Sequence, residues 1–358
     1  MNFVSEEAAR AAPAETSAPK GQPAVGQAQA VTERSSRPGD AGQHTPIPPD
    51  RPDVIRDETD LDDWLTGPRP VLVDFIRTVS SPLVILGAGG KMGPTLAVLA
   101  QRAAQVAGHR LEVIAVSRFS DQSSRRWLEL HGVATVSADL LERSAVQGLP
   151  EAANVIYLAG LKFGTHQNPA LTWAVNTIAP AHVAERYAKA RLVALSTGNV
   201  YPLVSVASGG AREDHPLTPL GEYANAAVGR ERIFEFFSRD HRTPVALLRL
   251  YYAVELRYGV PVDIARKVLA GEPIDLANGH FNCIWQGDAN NMILRALSLA
   301  ASPPSVWNLC RPEVFSVRAI ASRFGSSVAA LSRINGVARD SLLAVGAEII
   351  VYTDRARL

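Results

Sequence analysis

The sequence has only two cysteines, Cys283 and Cys310, among its 358 residues. They show no CxxC spacing and no nearby histidine cluster, which argues against a zinc site and allows at most one disulfide. Reduced, buried thiols are typical of cytoplasmic proteins. We therefore predict a cytoplasmic protein without a bound metal.

An excess of charge of one sign is also lacking. Lys and Arg total 36, Asp and Glu total 35, and the formal net charge of +1 arises from residues scattered along the chain. Without a basic face or an acidic tail, nucleic acid and strongly charged partners are not expected. No apolar run approaches the ~20 residues needed to span a bilayer, and the N-terminus lacks the pattern of a signal peptide, so we expect no membrane partner.

Composition changes twice along the chain. Residues 1–55 are rich in Ala, Pro, Gln, Ser and Gly, and such a segment buries too little apolar surface to offset its ordering entropy, which predicts a disordered tail. Residues 56–82 predict a lead-in of one or two short helices. Residues 83–250 have the pattern of a nucleotide-binding domain, and residues 251–358 are interpreted as a small, shortened substrate lobe that interleaves with it.

Six short runs rich in leucine and β-branched residues alternate with amphipathic segments between residues 83 and 250. Near-continuous apolar strands are expected where helices cover both faces of a parallel sheet. The predicted fold is therefore α/β, a doubly wound parallel Rossmann sheet, and its ligand should bind at the carboxyl ends of the strands.

The first run leads into a glycine-rich turn, "LVILGAGGKMGPTLAVLA". Glycines at three-residue intervals allow positive φ, close approach of a pyrophosphate and tight packing of strand on helix. A turn that binds nothing is the alternative, but the strand and helix flank this turn as a dinucleotide site requires. The predicted cofactor-binding residues here are Gly87, Gly89, Gly90, Lys91, Met92 and Gly93.

The second run ends in Ser117 and Arg118 rather than in an acidic residue. A carboxylate at this point would bind both ribose hydroxyls and repel a 2′-phosphate, whereas a guanidinium next to a small hydroxyl suits that phosphate. The sequence thus favours NADP over NAD, with a solvated surface charge as the alternative role of Arg118.

From about residue 83 to 325 the chain resembles the extended short-chain dehydrogenase/reductase family of the NAD-dependent epimerase/dehydratase type. The resemblance rests on the GxxGxxG turn and on the segments "VSADLLE", "VIYLAGLKFGT", "VALSTGNVYP", "GEYANAAVGRE" and "CIWQGDANNMI", which occur in the family's order. It implies further cofactor-binding residues, namely Asp139, Leu140, Leu158, Ala159, Gly160, Asn176 and Tyr223. It also implies a catalytic pair in which Tyr223 is the acid/base and Thr197, next to Ser196, orients the substrate.

One family residue is missing, because the lysine that should follow the tyrosine by one helical turn is Ala227. In the family this cation lowers the phenol pKa and holds the nicotinamide ribose, and a phenol near its reference pKa of ~10 is a poor base at neutral pH. Lys162 is the candidate replacement, although it would serve equally as a surface lysine. Arg230 lies two turns after the tyrosine, which predicts that it is too distant.

Two other interpretations remain open at this point: a protein that binds dinucleotide without turnover, and a reaction that needs no activated tyrosine. The substrate side differs as well, since Phe281 stands about where sugar-nucleotide enzymes carry an arginine, though it fits equally the inward face of a strand. A likeness of residues 320–351 to a glycan-binding LysM module is weaker than the family pattern. The leading prediction is an NAD(P)-dependent oxidoreductase or epimerase/dehydratase-like enzyme for a small, sugar-like substrate, compatible with a homodimer.

Overall fold

A computed structural model describes residues 55–162, 165, 167–276 and 278–324. The predicted tail, apart from its last residue, and nearly all of the segment with the LysM likeness lie outside these residues. Within the described part the chain forms eleven strands: β1 Leu83–Leu86, β2 Val113–Ser117, β3 Ala134–Ser137, β4 Asn154–Tyr157, β5 Arg191–Thr197, β6 Val245–Leu250, β7 Tyr252–Val254, β8 His280–Phe281, β9 Cys283–Trp285, β10 Ser305–Leu309 and β11 Phe315–Ser316.

Nine helices accompany these strands in the described residues. They are α1 Glu58–Thr66, α2 Pro70–Ile76, α3 Gly93–Ala107, α4 Gln122–Leu130, α5 Arg143–Gln147, α6 Pro169–Arg186, α7 Gly221–His241, α8 Val260–Ala270 and α9 Gln286–Arg295. None of the helices in the described residues is long and apolar enough to cross a membrane.

Seven strands form one fully parallel sheet in the order β10-β6-β5-β4-β1-β2-β3. The predicted doubly wound Rossmann sheet is confirmed, and all six predicted runs are strands within it. The seventh strand, β10, was not predicted as a strand. The winding direction changes between β1 and β4, and in such sheets this switch point marks the ligand crevice.

Alternate side chains of β1 explain why the sheet is covered on both faces. Leu83 and Ile85 pack in one apolar cluster with residues of α3 and α9. Val84 and Leu86 point to the other face, into a cluster with residues of α6 and α7. Because successive side chains of a strand alternate between faces, a strand buried on both sides needs an unbroken apolar run.

The lead-in forms two helices, α1 and α2, that pack on α3. The Asp57 side chain accepts a hydrogen bond from the Asp60 amide at 2.8 Å and so caps α1, whereas a proline begins α2, where its missing N–H costs nothing. Leu72 and Ile76 are fully buried in the cluster that contains α3. The lead-in is thus part of the domain's apolar core.

After β6 the chain builds a small lobe. Its strands form two-stranded pairs, β7 with β9 in parallel and β8 with β11 in antiparallel orientation. Ile264 of α8 packs with Phe281 and Val317 in a separate apolar cluster. The first of these pairs starts two residues after β6 ends, which places the lobe at the carboxyl edge of the sheet.

Candidate active site

The glycine turn between β1 and α3 is held tightly against its neighbours. Gly87 has φ +81°, and a Cβ added there would lie 2.7 Å from the Ala159 amide nitrogen. A Cβ on Gly93 would lie 2.3 Å from the Ala88 carbonyl oxygen. Both positions therefore require glycine, so that strand, turn and helix can approach one another closely.

The turn presents the first residues of α3 without a protein cap. Met92 is the N-cap residue of this 15-residue helix, and no side chain caps it. Such a helix end offers unpaired N–H groups and the positive end of the helix dipole to an anion. Lys91 adds a positive charge in the turn, with Nζ 4.0 Å from the centroid of the Tyr258 ring. These residues fit the pyrophosphate of a dinucleotide.

The second and third strands bring the residues of the predicted adenosine site together. A Cβ on Gly89 would lie 2.6 Å from Ser117 Oγ, so this serine lies directly against the turn. Arg118 Nη1 lies 3.9 Å from Asp139 Oδ2, and both side chains are exposed. The other oxygen of Asp139 accepts a hydrogen bond from the Leu141 amide at 3.0 Å, while Leu140 is buried in the core.

The segment after β4 lies on the opposite side of the glycine turn. The Leu158 amide donates to the Leu86 carbonyl oxygen at 2.8 Å, which continues the pairing of β4 with β1. Ala159 contacts the turn at Gly87, as described above, and Gly160 is exposed. The fully buried Asn176 of α6 donates to the Thr172 carbonyl oxygen at 2.8 Å. The predicted cofactor residues from β4 and α6 therefore lie at the same edge as the turn.

Two neighbouring hydroxyls at the end of β5 have different partners. The Ser196 hydroxyl donates to Glu231 Oε1 inside the protein. Thr197 Oγ1 instead accepts a hydrogen bond from the Asn199 amide at 3.3 Å and caps a short 3-10 turn. Accepting this bond leaves the threonine proton available for donation. Of the two hydroxyls, Thr197 is therefore the one that can act on a substrate.

The helix α7 carries Tyr223 in its first turn and Ala227 one turn later. Tyr223 is half-buried, and no hydrogen bond joins its hydroxyl to another described residue. Ala227 is fully buried and packs with Val200 and Tyr201 of the segment that follows Thr197. This contact places the first turns of α7 beside the segment that carries Thr197. The position of the missing lysine is occupied by an apolar contact.

The side chain of Arg230 contacts the segment after β4, although Arg230 lies two helical turns after Tyr223. Its residue is only 5% exposed, and Nη1 donates to the Ala159 carbonyl oxygen at 3.0 Å. A Cβ on Gly160 would lie 2.6 Å from the same nitrogen. Helical side chains lean toward the helix N-terminus, so a long arginine reaches the site edge from two turns along the helix. Arg230 therefore contacts the end of β4, and the expectation that it is too distant to act on Tyr223 stays a prediction.

The other candidate cation, Lys162, lies in the loop after β4. Its Nζ is 5.6 Å from the centroid of the Tyr252 ring in β7. Partial desolvation lowers the pKa of this amine although the residue is exposed. Lys162 therefore lies between the sheet and the small lobe.

A buried polar network below these residues was not predicted from the sequence. Arg249 of β6 forms an ion pair with Glu231 at 2.8 Å and donates to the Tyr201 hydroxyl at 2.6 Å. Tyr201 in turn donates to Asn308 Oδ1 of β10 at 2.9 Å. The signal was present in the sequence as a charged residue inside the apolar run "VALLRL", because a buried charge requires a partner.

An apolar side chain, Phe281, occupies the position where sugar-nucleotide enzymes carry an arginine for the substrate diphosphate. Phe281 is 8% exposed and packs between the rings of Tyr252 and Phe315, with centroids at 6.2 and 5.8 Å. Its role as an inward-facing strand residue fits this burial. Asp288, at the start of α9, forms an ion pair with Arg69 of the lead-in. In the described residues no group of three or more His, Cys, Asp or Glu side chains could hold a metal.

Comparison with known proteins agrees with this arrangement. Residues 83–299, more than half of the chain, match the model of the NAD-dependent epimerase/dehydratase family. The chain belongs to this family. Its cofactor class is therefore a nicotinamide dinucleotide, as the glycine turn indicates, and the recognition of the family from sequence is confirmed. No curated protein matches the sequence.

Several solved structures share the fold at low sequence identity. The dTDP-glucose 4,6-dehydratase DesIV from Streptomyces venezuelae, solved with NAD, is 15% identical with a TM-score of 0.60, covering 69% of this chain and 81% of its own. The enzyme WbmG from Bordetella bronchiseptica, also with NAD, is 18% identical with a TM-score of 0.57, covering 70% and 79%. The UDP-glucose 4-epimerase from Thermus thermophilus is 19% identical with a TM-score of 0.55, covering 70% and 83%.

Proposed function

We propose that the protein is an NAD(P)-dependent oxidoreductase or epimerase/dehydratase-like enzyme that acts on a hydroxyl or carbonyl group of a small, sugar-like substrate. The observation that carries this proposal is the different bonding of the two hydroxyls at the end of β5. Ser196 is committed to Glu231, whereas Thr197 keeps a proton to donate. Family membership and the named substrates of the dehydratase and the epimerase support the choice of a sugar-like substrate.

The chain's own residues have distinct roles in this proposal. Tyr223 gives a proton to, or takes one from, the reacting oxygen of the substrate, and Thr197 donates a hydrogen bond to the same oxygen. The bound nicotinamide supplies a hydride acceptor or donor. The exposed rings of Tyr252 and Phe315 line the small lobe, which lies at the same edge of the sheet. Without an arginine at Phe281, recognition of the substrate relies less on a diphosphate.

NADP is the cofactor that we favour, with NAD as the alternative. The turn at residues 87–93 would hold the pyrophosphate, and Arg118 with Ser117 would bind the 2′-phosphate. Asp139 does not neutralise this arginine strongly, because the two groups are 3.9 Å apart and both exposed. A dianionic phosphate could then attract the guanidinium.

A catalytically degenerate dinucleotide-binding protein, with a regulatory or scaffold role, is the second candidate. The observation in its favour is Ala227, which is buried among Val200 and Tyr201 with no cation at the lysine position. Such a protein would bind dinucleotide with normal affinity and transfer no hydride to any sugar-like substrate.

Hydride transfer in a Tyr223→Phe variant separates the two candidates. Absorbance at 340 nm follows net oxidation or reduction with NAD or NADP and a panel of sugars and nucleotide sugars. Chromatography of the products follows epimerisation or dehydration, in which the hydride returns from the cofactor and no net absorbance change accumulates. Dinucleotide affinity is measured in parallel. The enzyme proposal expects wild-type turnover that the variant loses by at least a hundredfold, with nearly unchanged affinity. Tyr187→Phe, at the end of α6 and far from the candidate site, is the matched control. Full turnover in Tyr223→Phe would exclude Tyr223 as the acid/base.

The cofactor preference is tested by thermal-shift titration with NAD, NADH, NADP and NADPH. A ligand that binds the folded state raises the melting temperature with its concentration relative to the dissociation constant. We expect a larger shift with NADPH than with NADH, and loss of that difference in Arg118→Ala. Arg126→Ala, an exposed arginine on the neighbouring helix α4, should keep it. A larger shift with NADH in the wild type would contradict the NADP proposal.

A cytoplasmic location and a homodimer are further parts of this proposal. Helices α6 and α7 pack against each other and carry exposed apolar side chains, among them Ile178 at 47% and Phe236 at 62% exposure. Exposed apolar side chains of this size favour burial against a second chain. Light scattering on the purified protein measures the mass, and the mass of a single chain would contradict the homodimer.

A further inference from the structure

Arg230 is a buried cation without a carboxylate partner in the described part of the chain. Its residue is 5% exposed, and its one described hydrogen bond goes to the neutral Ala159 carbonyl oxygen. The other buried arginine nearby, Arg249, differs in that Glu231 neutralises it at 2.8 Å. Burying an uncompensated charge is unfavourable unless something else compensates it. Arg230 therefore calls for a partner that the described residues do not supply.

The atoms around this guanidinium are short of hydrogen bonds as well. Arg230 Nε and Asn176 Oδ1 are both buried, and neither has a hydrogen-bond partner among the described residues. Both side chains converge on Gly160, since a Cβ there would lie 2.6 Å from Arg230 Nη1 and 3.3 Å from Asn176 Oδ1. The Tyr157 hydroxyl, at the end of β4, is also buried without a hydrogen-bond partner in the described part of the chain. Burial raises its pKa, and the positive charge of Arg230 partly counteracts this rise.

The location of this cluster points to one half of the dinucleotide. Ala159, which accepts the hydrogen bond from Arg230, is the same residue that the glycine turn contacts at Gly87. The predicted adenosine residues, Ser117 and Asp139, lie on the other side of that turn, on β2 and after β3. The cluster therefore lies on the side of the nicotinamide half.

Resting on the proposed function, we propose that Arg230 replaces the missing lysine as the cation that binds the nicotinamide half of the dinucleotide. The absence of a long side chain at Ala227 and the lean of Arg230 toward the helix N-terminus bring its charge back to the site edge. The ligand class is a hydroxyl-rich, negatively charged ribose phosphate. Its negative charge compensates the guanidinium, and the Asn176 side chain lies beside Gly160 at the same edge of the site.

The test uses binding rather than turnover. Dissociation constants of NADH and NADPH are measured by calorimetry on the full-length wild type, Arg230→Met, Arg230→Lys and Arg232→Met. Arg232 is the matched control because it lies on the same helix, exposed, in an ion pair with Glu235. We expect Arg230→Met to weaken the tighter of the two ligands at least tenfold. Arg230→Lys should stay within about threefold of the wild type, and Arg232→Met within twofold.

Adenosine 5′-monophosphate separates a local from a global effect. It contains only the adenine half, so its affinity should not change in Arg230→Met. If that variant does not fold, Arg230→Gln, which keeps a donor for Ala159 but no charge, takes its place. Dinucleotide binding within twofold of the wild type in the uncharged variant, or equal weakening of the monophosphate, would overturn the inference while leaving the proposed function intact. A wild type that binds no dinucleotide would overturn both.

Discussion

Arg249 Nη2 donates to Glu231 Oε2 at 2.8 Å, and the two side chains are 5% and 3% exposed. The pair joins β6 to α7, the helix that carries Tyr223. The other oxygen of Glu231 accepts the Ser196 hydroxyl at the end of β5. One carboxylate therefore fixes the tyrosine helix to the two strands below the site, and it keeps Ser196 away from the substrate.

Glu231→Gln should destabilise the protein strongly. The change removes the charge that compensates a buried guanidinium, and breaking such a pair from one side costs about 3–5 kcal/mol. Urea unfolding followed by circular dichroism measures the free energy of unfolding. Glu235→Gln, one turn further along α7, removes partly exposed pairs with Arg232 and Arg239 and should cost less than about 1 kcal/mol. Equal losses in the two variants would contradict the structural role of the buried pair.

Thr197→Val should lower mainly turnover, whereas Ser196→Ala should lower mainly stability. Thr197 has a proton to donate to the substrate, so Thr197→Val should lower turnover by about 10²-fold with a small change in stability. Ser196→Ala removes one hydrogen-bond donor to the Glu231 carboxylate and should cost about 1–2 kcal/mol of stability. Turnover should be nearly retained in this variant. Turnover and urea unfolding are measured on both variants. A larger loss of turnover in Ser196→Ala would assign the catalytic hydroxyl to Ser196.

The sheet was readable from the sequence because burial on both faces leaves a strong local signal. Unbroken apolar runs such as residues 83–86 predict a strand without knowledge of its neighbours. The edge strand β10 was not predicted because it lacks this signal. It includes the 45% exposed Trp307 and the half-buried Asn308, so its burial pattern is mixed.

The site was predictable in part. The glycine turn and the order Thr197, Tyr223, Ala227 are local patterns, and sequence spacing expresses them well. Sequence spacing does not predict which residues Arg230 contacts. These contacts depend on the direction in which the flexible side chain leaves the helix and on which neighbours leave room for it. The contacts of Arg69 and Arg257 with distant acidic groups are likewise products of the fold.

Ala227→Lys should destabilise the protein rather than simply rebuild the family's site. The methyl group is fully buried against Val200 and Tyr201. A lysine there adds volume, and it adds a charge near Arg230, which pairs with no carboxylate among the described residues. Overpacking alone costs about 1–3 kcal/mol. Differential scanning calorimetry should show a lower melting temperature, whereas Ala227→Met, of similar length without charge, should lose less. A lysine variant as stable as the wild type would show that the pocket can open.

Leu72→Ala tests whether the lead-in helix α2 belongs to the domain core. The leucine is fully buried with residues of α3, and such truncations cost about 2–5 kcal/mol. Val71→Ala, the preceding residue at 41% exposure, is the control and should stay within about 1 kcal/mol. A single cooperative urea transition with a shifted midpoint is the expected result. An unchanged midpoint in Leu72→Ala would mean that α2 contributes nothing to the stability of the domain.

Stability should fall at alkaline pH because buried tyrosines resist ionisation. Burial raises the pKa of Tyr187, partly offset by Arg186, and of Tyr251 to about 12 in each case. The unfolded chain ionises its tyrosines near pH 10. Below that pH both states are neutral and the full stability is present. Between pH 10 and 12 only the unfolded state loses protons, so the free energy of unfolding decreases as the pH rises.

Tyr187→Phe isolates one of these contributions at a position far from the candidate site. Tyr187 is 2% exposed, and its hydroxyl donates to the Pro150 carbonyl oxygen at 3.0 Å. The variant should lose about 1 kcal/mol at pH 8 because that hydrogen bond is gone. From pH 10 to 12 it should lose about 2 kcal/mol less than the wild type, since the pKa difference between the folded and unfolded tyrosine no longer acts on the equilibrium. Urea unfolding of both proteins at pH 8, 10 and 11.5 gives the two slopes. Parallel slopes would show that the Tyr187 hydroxyl ionises in the folded protein as readily as in the unfolded chain.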